Sequence, residues 1–127
     1  MKRFVCAPFF AVTVLLMAGC ASRPIASQPI SGAIDLQANF EKSHVILYLD
    51  DKLLYDGTVT SYAALSSTGE RIPFISYKPI VTLKVKINEI QGEHELDLRN
   101  GHYIGVSYHW IKKQPRVIQS INEFWYD

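Results

Sequence analysis

The chain has 127 residues, 48% hydrophobic and 20% charged, with 13 basic and 12 acidic side chains and a net charge of +1. That length allows one ordinary domain with one core, and the near-neutral balance excludes a general pull toward nucleic acid or an anionic membrane surface. The two cysteines, Cys6 and Cys20, both lie near the N-terminus, so the rest of the chain can hold no disulfide and no thiol nucleophile.

Lys2 and Arg3 precede Phe4 to Gly19, a stretch without a charged residue. It falls short of the roughly 20 residues that span a bilayer. A basic start, a short apolar core and small residues at its end read as a secretory signal peptide over residues 1–19. Met17-Ala18-Gly19-Cys20 resembles the lipobox of bacterial lipoproteins, with Met17 standing where Leu is usual. The resemblance implies cleavage before Cys20, a diacylglyceryl group on its thiol, and often acylation of the new amino group. One acyl chain binds a membrane reversibly, whereas two or more hold stably, at about 0.8 kcal/mol per buried methylene. Ala21, rather than Asp, follows the cysteine, and by resemblance to the sorting signals of Gram-negative lipoproteins this implies the outer membrane. The expected location is therefore the bacterial cell envelope, facing the periplasm or the cell surface.

Residues 20–33 read as the lipidated N-terminus and a flexible tether. Ser22 to Ala33 holds Pro24, Pro29, three serines and Gly32, with no hydrophobic period. A single domain is expected over residues 34–127.

In that domain Ile34, Leu36, Ala38 and Phe40 alternate with polar residues, the period of a half-buried strand. His44 to Leu49 is β-rich, and Asp50-Asp51 suits a two-residue turn, because Asp tolerates the left-handed conformation. The return strand then sets Tyr48 opposite Leu53, Leu47 opposite Leu54 and Ile46 opposite Tyr55. Both faces of this hairpin are apolar, which predicts a central position with partial cover on the second face. Gly57 can mark a bulge or a close approach. Tyr62 to Pro73 reads as a long loop that crosses between sheets or carries function. Phe74 to Tyr77 is a short strand, and Pro79 confines its surroundings to an edge or break. Val81, Leu83, Val85 and Ile87 alternate with Thr82, Lys84, Lys86 and Asn88, giving one buried and one wet, basic face.

Asn100-Gly101 is a hairpin signal. A three-residue loop, Arg99 to Gly101, sets Leu98 opposite His102 and Leu96 opposite Ile104. It gathers Leu96, Leu98, Ile104 and Val106 on one face, so the buried face selects that register, with Gly101 left-handed in a bulge. The second arm continues toward Tyr108 and Trp110, Lys112 to Pro115 turns, and Val117 to Ile121 is a last strand. About eight short strands without a helical period predict an all-β antiparallel two-sheet sandwich, immunoglobulin-like or transthyretin-like, with a small β-barrel as the alternative.

Little in the sequence points to chemistry. His44, His94, His102 and His109 lack the close spacing of a zinc motif, so no metal site and no cofactor are expected. No Gly-x-Ser-x-Gly elbow is present. Glu93, Glu95 and Asp97 share one strand face, which explains them as the polar side of a half-buried strand better than as a carboxylate pair for hydrolysis. No catalytic residue is expected. The mature chain carries twelve aromatics. At its end Phe124 and Tyr126 face one way and Trp125 the other, so the tail can cover an open end of the sandwich or offer Trp125 as an interface anchor. Candidate partner-binding residues are therefore Phe124, Trp125 and Tyr126, with Lys84 and Lys86 as a second patch. The expected function is a non-enzymatic, membrane-anchored envelope module that binds or supports a protein partner. The alternative is recognition of a glycan or a cell-wall hydrolase.

Overall fold

The structure, a computed structural model, describes residues 28–126. The expected signal peptide, Cys20 and most of the expected tether lie outside the described residues. Eight strands form: β1 Ile30–Leu36, β2 Ser43–Leu49, β3 Lys52–Val59, β4 Arg71–Ser76, β5 Ile80–Ile87, β6 Ile90–Asp97, β7 Tyr103–His109 and β8 Gln114–Ser120. They build two four-stranded sheets, ordered β4-β1-β7-β8 and β3-β2-β5-β6, and neither closes into a barrel. The two-sheet sandwich is thus the observed architecture. It is not wholly antiparallel, because β1 and β7 run parallel. In an immunoglobulin sandwich the first strand pairs with the second. Here β1 pairs with β4 and β7, which leaves the transthyretin-like arrangement of the two kinds expected.

The core forms where alternation is cleanest. Val81, Leu83, Val85 and Ile87 of β5 are buried and meet Ile34 and Leu36 of β1, Val45 and Leu47 of β2, and Ile104 and Val106 of β7. Each such aliphatic side chain contributes about 1.5–3 kcal/mol on full burial.

β1 starts at Ile30, four residues inside the stretch expected to be tether. The composition there is loop-like, but its backbone bonds antiparallel to β4, from Ile30 opposite Ser76 to Asp35 opposite Arg71. Gly32 has a packing role: a Cβ there would lie 2.1 Å from the His102 carbonyl oxygen and 2.6 Å from the Phe74 ring.

The Asp50-Asp51 turn forms as expected, with φ of 49° and 67°, and Tyr48 faces Leu53. The register then slips, so that Leu47 faces Tyr55 and Ile46 faces Asp56. Leu54 is the extra, bulged residue. The bulge lets Leu54 and Tyr55 both pack against the core, which strict alternation would forbid. The hairpin is only half central, since β2 is internal but β3 is an edge. Residues 60–70 cross between the sheets, and Pro73 sits within β4, an edge strand that spares its missing N–H.

The Asn100-Gly101 hairpin does not form. β6 pairs with β5 and lies in one sheet, whereas β7 lies in the other, so residues 98–102 cross between them. The Asp97 carboxylate accepts from the Arg99 N–H at 3.0 Å and opens a short 3-10 turn, Leu98–Asn100. Inside it Leu98 donates its N–H to the Pro79 carbonyl at 2.7 Å. Gln119 Nε2 ties the crossover by donating to the Asp97 and Gly101 carbonyls, both at 2.9 Å. Gly101 is extended, with φ 160°, not left-handed. Its bare Cα serves close approach, because a Cβ would lie 2.8 Å from the Ser120 nitrogen. Leu96, Leu98, Ile104 and Val106 are all buried, but they meet across the sandwich rather than side by side in one sheet.

Candidate functional site

The strand directions give the sandwich two distinct ends. β1 begins, β4 ends and β7 begins at one end, together with the Asp50-Asp51 turn and the 98–102 crossover. This is the entry end, where the chain arrives from residue 29. At the far end lie residues 37–42, 60–70, 88–89 and 110–113. A strand of seven residues separates the ends by about 23 Å.

Exposed large apolar side chains concentrate at these ends. Leu53, Ile75, Tyr77, Ile80 and Ile121 surround the entry end, and Tyr62, Leu65, Trp110 and Ile111 stand on the far-end loops. Of the exposed large hydrophobics among the described residues, only Ile118 and Trp125 lie between the ends.

At the far end a cleft of about 520 Å³ opens between the sheets. Phe40, Tyr108 and Trp110 give it apolar walls, and Asn39, Glu41 and Asn88 add polar groups. Asn39 is positioned by donating from Nδ2 to the Tyr108 carbonyl at 3.0 Å. Asn88 Oδ1 accepts the His44 N–H at 2.9 Å. With Ser61 and Ala63 of residues 60–70, the lining draws on four separate connections, so the sequence offered no local pattern for the cleft. The one available signal was Trp110, a large aromatic bordering a lysine-rich turn.

The C-terminal candidates behave as their alternation predicts. Phe124 and Tyr126 are half-buried and Trp125 is 85% exposed. The tail lies over the outer face of the β4-β1-β7-β8 sheet rather than across an open end. Asp35, at 3% exposure the most buried carboxylate described, holds it there. Arg71 donates from Nε to Asp35 Oδ1 and from Nη2 to Oδ2, both at 2.8 Å. The Tyr126 hydroxyl donates to Asp35 Oδ2 at 2.8 Å and accepts from Gln37 Nε2 at 2.9 Å. Arg71 also donates to the Phe124 carbonyl at 2.9 Å and to Glu123 at 3.0 Å. The hydrogen bonds to Asp35 raise the Arg71 pKa further. Burial, followed by the Asp35 carboxylate, pushes the Tyr126 hydroxyl up to about 12. Gly105 leaves room for this network, since a Cβ there would sit 2.4 Å from Gln37 Oε1.

Lys84 and Lys86 lie on the outer face of the other sheet, so they and the tail do not share a surface. Lys84 stands opposite Glu93 and Tyr48, its Nζ 5.9 Å from the Tyr48 ring centroid. Asp97 leaves the acidic row and turns to Arg99, which holds its carboxyl down to about 2. His94 lies in β6 and His102 in the crossover between the sheets, and among the described residues no three His, Cys, Asp or Glu converge as a metal site requires. No helix among the described residues is long and apolar enough to cross a membrane.

No protein-family model, curated protein or solved structure matches this chain.

Proposed function

We propose that the protein is a lipid-anchored, non-enzymatic module of the bacterial envelope that holds its far end out to a protein partner. The observation carrying this reading is the split of exposed apolar surface between the two ends, with the anchor-bearing segment entering at only one of them. Exposed aromatic surface around a concave cleft is the usual composition of an interface core. Trp110, 65% exposed, is the anchor residue of that surface. The tail extends it along one flank, because Tyr126 and residues 69–71 line a common hollow and bring Trp125 toward the far-end loops. Asp35, the buried carboxylate that an enzyme could use, is committed to Arg71 and Tyr126 instead.

The test is affinity capture from detergent-solubilised membranes. Wild type is expected to retain a stoichiometric protein, and Trp110→Ser with Tyr62→Ser to lose it while Lys84→Ser with Lys86→Ser retains it. Retention on isolated peptidoglycan without a protein partner would replace this reading with glycan recognition.

A further inference from the structure

The entry end has its own chemistry. Ile75 and Tyr77 are 60% and 65% exposed, and Leu53, Ile80 and Ile121 complete an apolar rim. Between β3 and β4 an open groove of about 890 Å³, walled by Leu49, Leu54 and Phe74, faces the same way. The charges nearby are largely paired: Lys78 with Asp50 at 3.1 Å and Arg99 with Asp97 at 2.7 Å. Such pairing leaves an apolar surface with Tyr at its margin and no net charge to repel a bilayer. It suits the boundary between headgroups and acyl chains, where amphipathic rings and lysine stems are stable.

The start of β1 at Ile30 sharpens this. Only nine residues, Ala21 to Pro29, separate Cys20 from the fold. Fully extended they reach about 30 Å at most. A linker this short keeps an effective concentration in the millimolar range, so a contact too weak to form in solution becomes populated once the chain is anchored.

We propose that the entry end rests on the membrane that holds the lipid anchor, so that the module stands upright with its far end directed away. This inference rests on the lipid-anchor reading above. It explains why two apolar ends occur on one small domain: one meets lipid and the other the partner.

The test uses the mature lipidated chain, beginning at Cys20, in vesicles of phosphatidylethanolamine, phosphatidylglycerol and brominated phosphatidylcholine. The chain has two tryptophans, Trp110 and Trp125. Trp125→Phe leaves Trp110 as a far-end reporter, and Tyr77→Trp with Trp110→Phe and Trp125→Phe makes an entry-end reporter at an exposed position. The bromine atoms are expected to quench emission from position 77 and leave that from position 110 unchanged. If the protein floats with the vesicles but both positions keep their emission, or lose it equally, the entry-end contact is wrong and the anchor stands. If it fails to float with Cys20 intact, the anchor reading fails and takes the contact with it.

Discussion

Tyr126→Phe isolates the bond that holds the C-terminal tail. The ring and its packing remain, and only the hydroxyl is lost. That oxygen donates to the buried Asp35 carboxylate at 2.8 Å and accepts from Gln37 at 2.9 Å. A hydrogen bond to a charged group contributes about 1.5–3 kcal/mol and a neutral one about 0.5–1.5 kcal/mol. Tyr126 is only half-buried, so water can replace part of both, and the expected loss is about 1–2 kcal/mol. For a domain of this size that lowers Tm by about 5–10 °C. Thermal unfolding followed by circular dichroism measures the loss. In a Trp110→Phe background, Trp125 emission reports whether the tail has left the sheet. Combining Tyr126→Phe with Gln37→Ala should cost less than the sum of the single changes, because both act on one bond. A Tm within about 1 °C of wild type, with Trp125 emission unchanged, would show that the tail is held by something other than the Asp35 network.

Three further outcomes follow from the same geometry. Gly32→Ala forces β1 and β7 apart at the His102 carbonyl, and its cost belongs at the upper end of the range of about 1–3 kcal/mol for overpacking; an unchanged urea midpoint would contradict the close approach. His94 Nε2 is buried without a partner beside the β6–β8 seam, and burial lowers its pKa below 6.5. The unfolded chain takes up that proton more readily than the native one, so stability is complete above about pH 6.5 and falls as pH drops through and below it. His94→Leu should flatten that dependence, and an unaltered acid limb would assign it to other groups. Cys20→Ser should move the protein from the membrane to the soluble fraction; continued membrane fractionation would refute lipid attachment.

The legibility of the fold followed from how many ways each pattern could be satisfied. β5 was readable because four alternating aliphatics with polar partners have one solution, a strand with one buried face. The Asp50-Asp51 turn was readable because few residue pairs accept two positive φ values. The Leu96, Leu98, Ile104 and Val106 pattern had two solutions, since four apolar residues can share a core side by side or face to face. What decided between them was the local Asp97 cap on Arg99 together with the Leu98 bond to Pro79 and the Gln119 ties, and the last two are set by distant residues. The β3 bulge leaves no mark in the sequence because Leu54 and Tyr55 are both apolar, and only the core shows that both are used. The start of β1 was hidden behind a loop-like composition that β4 pairing overrides. For the candidate site, alternation alone set Trp125 on the face opposite Phe124 and Tyr126, but which face turns outward is decided by the Asp35 network that holds Tyr126 against the sheet. The Asp35 network and the far-end cleft join residues from distant segments, which no local period reveals.

The central claim is that the end of the sandwich opposite the anchor meets the protein partner. Site-specific photocrosslinking in living cells tests it directly, with the crosslinker placed at position 110 or 62 on the far end and at position 77 or 53 on the entry end. The account predicts a discrete protein adduct from positions 110 and 62 and none from 77 and 53. Adducts confined to 77 and 53 would contradict it.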